Sequence, residues 1–368
     1  MASEEIIQLD TLLQPIAEDN PVGVDIREDA SPTSSYYTIK DARSAARAAE
    51  RNNIFDNDNN EASQHWRKIL ELAPDILQNQ AKDLEVACWY TEALVRHFGF
   101  QGLRDGFKLI HGLIKQYWDS LYPLPDEDGI ETRVASLTGL NGEGAEGVLI
   151  APIRNIEITQ GHEPGPFTYW KYQQSLDIEK IIDEESRAEK ASKLGFSNND
   201  IERAVAESSE TFFVNMRDDI RESIDTYREV GRLLDEYCGI NDSPPTSNII
   251  NILEDCLGVV NHIGRNKLPA AETDVNNTAD QKADSSSAQA QEQISGPVNS
   301  RADAFKKLME ISAYFRKTEP HSPISYILER AVKWGDMPLE DLIKELIPDS
   351  TARGFYGSLT GIKTDDDY

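Results

Sequence analysis

Six histidines, three cysteines and a large surplus of carboxylates are the groups in this chain able to do chemistry, and their spacing argues against most of it. The histidines stand at positions 65, 97, 111, 162, 262 and 321, with no pair at the i, i+4 spacing that sets two imidazoles around a metal on one helical face. There is no Gly-x-Ser-x-Gly elbow, and Cys88, Cys238 and Cys256 sit far apart within helical patterns, as buried reduced thiols do. Asp56 and Asp58, in the loop-like segment 52–62, lack the Asp-x-Asp-x-Asp-Gly order and closing glutamate of a calcium loop. The stretch LNGEGAEG (140–147) lacks the Gly-Lys-Ser/Thr ending of a phosphate loop, and its glutamates repel phosphate, so it reads as a surface turn. His97 precedes Gly99 at a helix end, where it interacts with the helix dipole, and His321 fixes a turn in Glu-Pro-His-Ser-Pro (319–323). The expectation is a protein without catalytic residues, metal or cofactor. The competing reading is a hydrolase with a site in 140–175, where Glu143, Glu146, His162 and Glu163 lie close in sequence at no recognised spacing.

With 37 Lys and Arg against 65 Asp and Glu, the net charge is −28, which repels nucleic acid and anionic membrane surfaces. The start, Met-Ala-Ser-Glu-Glu, is acidic where a signal peptide is basic, and no apolar run approaches the ~18 residues of a membrane span. The expected location is the cytoplasm. On the acidic background, Arg43, Arg47, Glu50 and Arg51 recur at three- and four-residue spacing. They read either as a solvated face laced with weak ion pairs or as a cationic stripe for an acidic partner.

The elements expected to position these groups are helical throughout: an all-α fold with a large helical N-terminal domain, a disordered linker and a small three-helix C-terminal oligomerisation domain. Residues 37–51 are alanine-rich and unbroken. Leu84 to Phe98 and Leu103 to Leu121 form a helical hairpin broken at 100–102 and ended by Pro123 and Pro125. Ser197 caps a short helix, and Ser208 or Ser209 a long one running to Gly239. A last helix follows Pro245. Residues 148–159 (VLIAPIRNIEIT), rich in β-branched side chains, are the best strand candidate. Pro269 to Ser300 has almost no large apolar residue and reads as a flexible linker. Boundaries are expected at 1–140, 141–268 (a helical extension or a separate middle domain), 269–300 and 301–368.

The C-terminal module, with Ala304, Phe305, Leu308, Ile311 and Phe315 on one face of its first helix, is under 70 residues long and carries ten basic against twelve acidic residues. A module of this size buries too little of its own surface to be stable alone, and near-neutrality lets copies approach, so it is expected to self-associate. Trp334 is expected at an intersubunit position or in the core.

Two segments carry a resemblance. LLQPIAEDNPVGVDIRED, YTIKDARSAARAAER, Trp66, KDLEVACWYTEALVRHFGFQGLRDGFKLI, YWDSLYP and DEDGIETRVASLTGL together resemble the ImpA N-terminal domain that defines TssA proteins of type VI secretion. The run from Ser300 to Ile347, with its FRKTEPHSP turn and AVKWGDMPL stretch, is similar to the tail of short-form TssA proteins. The resemblance implies a non-enzymatic organiser of the contractile apparatus whose C-terminal domain builds a ring, commonly of ten or twelve subunits. It implies contacts with the baseplate, Hcp tube, VgrG spike and sheath. Candidate ring-contact residues are Phe305, Leu308, Phe315, Arg316, Glu319, His321, Ile327, Trp334, Leu339 and Leu342. Candidate partner-binding residues are Arg43, Arg47, Arg51, Trp66, Lys82, Asp83, Trp89, Trp118 and Arg133. A helical adaptor outside secretion is the remaining alternative.

Overall fold

The computed structural model describes residues 2–52, 60–127, 129–161, 164–239, 242–269, 301–318, 323–335, 337, 342 and 345–346. They belong to two compact units, Met1–Asn276 and Asn277–Tyr368. The first carries α1 (Leu9–Leu12), α2 (Ser35–Asn52), α3 (Asn60–Asn79), α4 (Leu84–Tyr117), α5 (Glu131–Asn141), α6 (Ile150–Arg154), α7 (Tyr169–Glu179), α8 (Glu184–Leu194), α9 (Asn198–Glu207), α10 (Glu210–Cys238) and α11 (Ser247–Ile263). The second carries α12 (Arg301–Thr318) and α13 (Ile324–Gly335). Among the described residues there is no strand, only isolated bridges, so the fold is all-α.

The centre of the first unit is α4, which doubles back on itself. Gly99 takes φ 57° and ψ −134°, a conformation that only glycine adopts without strain, and it splits α4 into two antiparallel limbs. The limbs approach closely because Gly102 and Gly106 present no side chain: a Cβ on Gly102 would lie 2.3 Å from the Leu94 carbonyl oxygen, and one on Gly106 2.6 Å from Thr91 Oγ1. Asp83 caps the first limb by accepting from the Val86 amide. The expected hairpin is therefore present, with its break at Gly99.

The pair α2–α3 packs on one side of α4 and α10 on another. In α2 the inward positions are Tyr36, Ile39, Ala42, Ala46 and Ala49, and the small side chains of the three alanines let neighbouring backbones come near. In α10, Phe213, Met216, Ile220, Ile224, Tyr227, Val230 and Leu234 form a buried stripe at helical spacing, with Tyr227 stacked on Phe107 at 4.4 Å between ring centres. Ser209 caps this helix at Phe212 N, and Ser197 forms a capping box with Asp200 on α9.

Residues 148–159 are not a strand. Ile150 and Ile153 in α6 and Leu149 at its N-cap are buried at helical spacing, and burial on that face overrides their β propensity. Pro152 is tolerated because the first-turn amides of a helix need no partner within it. Only the end of the segment is extended, where Ile158 N donates to Phe167 O at 2.8 Å.

Residues 20–27 form a strap across the N-terminal end of α4. Lys82 N donates to Val22 O, Val24 N to Gln80 O, and the Arg27 guanidinium reaches Asp83 at 2.6 Å and Glu85 at 2.6 Å. Beneath lies Lys82, fully buried, whose ammonium donates to Leu12 O (2.8 Å) and Leu77 O (2.7 Å). Burial lowers its pKa from 10.5 to about 8. Between pH 8 and about 10 the unfolded chain therefore holds the proton that the folded chain releases, so the Lys82 contribution to stability rises with pH, by on the order of 2 kcal/mol. Neutral Lys82 still has two N–H donors, so both carbonyl bonds survive. The buried thiols Cys88 and Cys256, pushed upward by burial, act in the opposite sense over the same range. The expected result is thus a difference: urea midpoints measured from pH 7.5 to 9.5 should rise with pH in the wild type relative to Lys82→Met. Parallel curves would refute the assignment.

Candidate functional site

Several of the expected partner-binding residues are internal. Trp66, Lys82, Asp83, Trp89 and Arg133 are all at most 4% exposed, and each satisfies groups of its own fold, so none offers surface to a partner. Arg133 donates to Trp118 O (2.7 Å) and Pro123 O (3.1 Å) and lies over the Trp118 ring; Trp118 stacks on Tyr237 at 5.1 Å. These contacts tie α5 to the end of α4.

The cationic stripe of α2 turns toward the first limb of α4. Arg43 Nε donates to Glu92 Oε1 at 2.7 Å, and Glu92 is fully buried. Arg96 Nε donates to Glu50 Oε1 at 2.6 Å, its guanidinium stacked 4.0 Å above Trp66, whose indole N–H also donates to Glu50 at 2.7 Å. Glu92 Oε2 accepts no hydrogen bond among the described residues; Arg96 Nη1 stands 3.9 Å from it. This arrangement is neither a fully solvated face nor a free stripe. Arg43 is consumed by the fold, whereas Arg47 and Arg51 make no ion pair among the described residues.

Beside them opens a cleft of about 1290 Å³, bounded by α2, the start of α3, the tip of the α4 hairpin, the α6 region and the start of α10. Phe98, at the tip, is 44% exposed. Burial and then Arg67 hold the His97 pKa below the ordinary imidazole value, which disfavours its cationic form at the helix end.

Of the carboxylates suspected of hydrolytic chemistry, Glu146 is paired with Arg154 at 2.6 Å and Glu143 is exposed, while His162 and Glu163 lie outside the described residues. Among the described residues no group of three or more His, Cys, Asp or Glu is placed to hold a metal ion. Asp56 and Asp58 lie outside them. No described helix is long and apolar enough to cross a membrane.

Known proteins share much of this bundle. Residues 13–142 match the family described as ImpA, N-terminal, type VI secretion system. Over this region the chain is similar to ImpA N-terminal domains. The whole chain is 22% identical over 360 residues, 95% of its length and 97% of the relative's, to type VI secretion system component TssA1 of Pseudomonas aeruginosa. In fold it is similar to the N-terminal domain, including the conserved ImpA_N region, of the TssA component from Burkholderia cenocepacia, with a TM-score of 0.59 and 24% identity over 72% of this chain and 96% of that one.

Within the region that matches the ImpA N-terminal family, the quoted motifs serve the architecture. NPVGVDIRED is the strap, KDLEV the cap and buried lysine, and GFQGLRDG the hairpin tip with its closely packed glycines. Arg104, which drew no attention in the sequence, is the most consequential charge of the domain. Only 1% exposed, it bridges Asp105 and Asp219 and donates to the carbonyls of Ser3 and Glu4. An arginine followed by aspartate inside an otherwise apolar helix was the available signal; its partner 115 residues away was not.

In the second unit, Phe305 packs against Gly335, where a Cβ would meet its ring at 2.0 Å, and the buried Ser312 donates to Ser325 O at 2.8 Å. Arg316 pairs with Glu329 at 2.8 Å. The apolar side expected to face inward is split. Phe305, Leu308 and Phe315 are half-buried, but Ile311 (45% exposed) and Ile327 (58%) point outward with Tyr314 and Tyr326, because Ser312 and Ser325 take the contact between the helices. Trp334 is half-buried beneath the Arg330 guanidinium, and Leu342 is also half-buried. Glu319, His321, Leu339 and the linker 270–300 lie outside the described residues.

Proposed function

We propose that this chain is an assembly component of a type VI secretion apparatus, acting as a non-enzymatic scaffold in the cytoplasm. Its C-terminal unit self-associates into a ring of ten or twelve copies, and its ImpA N-terminal domains engage the baseplate, tube, spike and sheath. The ImpA N-terminal match and the end-to-end similarity to TssA1 support the machine. The observation that carries self-association is the exposed apolar side of α12 and α13, with Ile311, Tyr314, Ile324, Tyr326 and Ile327 each at least 40% exposed on a short helical pair. So dense a set of aliphatic and aromatic side chains is what a subunit interface covers. Half-buried Phe305, Leu308, Phe315, Trp334 and Leu342 complete the unit, and Arg316 lies over the Tyr326 ring on the exposed side.

Light scattering on the full chain tests this. The wild type is expected at roughly ten to twelve times the 41.3 kDa protomer mass. Tyr326→Glu with Ile327→Asp is expected to give monomer with unchanged helical circular dichroism. These two positions are better probes than Trp334, because their side chains already face outward and the fold does not need them. A wild-type monomer at tens of micromolar, or a double variant of unchanged mass, would overturn the ring reading.

A further inference from the structure

The cleft beside α2 carries an unbalanced charge. Arg47, Arg51 and Arg96 line its α2–α4 wall, and the carboxylate beside them, Glu50, is paired with Arg96, while Arg43 and buried Glu92 pair with each other behind that wall. Arg47 is half-buried between the other guanidiniums and Arg51 is exposed, and neither has an ion-pair partner among the described residues. On the facing wall Glu146 is matched by Arg154 and Asp219 by Arg104, which leaves Glu157 there against Arg47 and Arg51 and keeps a positive excess on the α2 side. Two unmatched guanidiniums in a concavity are the reverse of what a chain with 65 acidic against 37 basic residues has on average. The low-dielectric walls focus their field into the cleft.

Size and lining narrow the occupant. At about 1290 Å³ the cleft exceeds the ~300–1,000 Å³ usual for small-molecule sites and suits a stretch of polypeptide. Phe98 stands exposed at its rim, giving an apolar anchor next to the charges. Guanidinium forks recognise carboxylates bidentately, which favours Asp or Glu side chains over a diffuse anionic surface.

We infer that this cleft docks an acidic segment of a partner protein, its carboxylates paired with Arg47 and Arg51 and an apolar side chain set against Phe98. The inference rests on the cleft alone and does not depend on ring formation.

The test pans a phage-displayed random dodecapeptide library against the immobilised full-length protein and measures a selected peptide by fluorescence anisotropy. Enriched sequences are expected to carry two or more Asp or Glu beside an aromatic or aliphatic residue. Arg47→Glu with Arg51→Glu is expected to weaken binding at least ten-fold, and tighter binding at low salt should fade as salt rises. Since Arg47 is half-buried, Arg51→Glu alone serves as a second variant that spares the fold, checked by an unchanged thermal midpoint; it too must weaken binding several-fold. Neutral or basic selected peptides, affinity indifferent to both variants, or no selection at all would overturn the proposal. Selection of acidic peptides only by an Asp56→Asn, Asp58→Asn variant would overturn it as well, identifying the chain's own residues 53–59 as the occupant.

Discussion

Arg104→Ala is expected to destabilise the first unit by about 3–5 kcal/mol, enough to leave a marginal helical domain largely unfolded. The guanidinium is 1% exposed, donates from Nε to Asp105 Oδ1 at 2.8 Å, and reaches Asp219 Oδ1 at 2.5 Å. Removing it leaves two buried carboxylates, each still accepting amide hydrogen bonds from the N-terminal segment: Ser3 N to Asp219 at 3.0 Å and Ile6 N to Asp105 at 2.7 Å. An uncompensated buried charge costs more than the pair gained when intact, because the carboxylates have been taken out of water without a counter-ion. Salt should recover little of the loss, since buried pairs are poorly screened. Asp219→Asn is expected to cost less, because Asp105 still balances the arginine. Urea denaturation of the three proteins checks the order; an Arg104→Ala midpoint within error of the wild type would refute the account.

Gly102→Val is the second large effect, with an expected loss of about 3 kcal/mol or more. The new Cβ would lie 2.3 Å from the carbonyl oxygen of Leu94, and that atom belongs to the backbone of the other limb, so no rotamer change can relieve the overlap. The limbs must separate, and the core built on both of them, including the stack of Phe107 on Tyr227, loses its packing. A control lies close by in sequence. Gly139, inside α5, has nothing within 4 Å of its ideal Cβ, so Gly139→Ala is expected to stabilise by about 0.5–1 kcal/mol through helix propensity alone. Thermal melts of the two glycine variants should shift in opposite directions.

What the sequence made legible were features decided within one or two turns of chain. The Ser209 and Ser197 caps, the helical period of α10 and the glycine at the bend of α4 are local rules obeyed locally. The helix α3 was obscured by Pro74 in its interior and by its asparagine-rich start, although Trp66, Ile69, Ala73, Ile76 and Leu77 recur at helical spacing. Residues 148–159 misled because β-branched composition is a weaker force than burial of Leu149, Ile150 and Ile153 on one face. The candidate site was legible only in part. Arg47 and Arg51 border an open cleft, whereas Lys82, Asp83, Trp66, Trp89 and Arg133 are occupied inside the fold. A charged residue in a motif gives no sign of whether its partner is internal until distant segments meet, as Arg43 meets Glu92 across 49 positions.

The anchorage of Ser3 to Asp219, 216 residues apart, also sets an order of events during synthesis. At ~5–20 residues per second, the opening segment leaves the ribosome roughly 10–40 seconds before α10 exists to receive it. The residues around Ser3 are thus fixed long after they are made, and for that interval they wait beside a nascent bundle whose apolar seam is still uncovered.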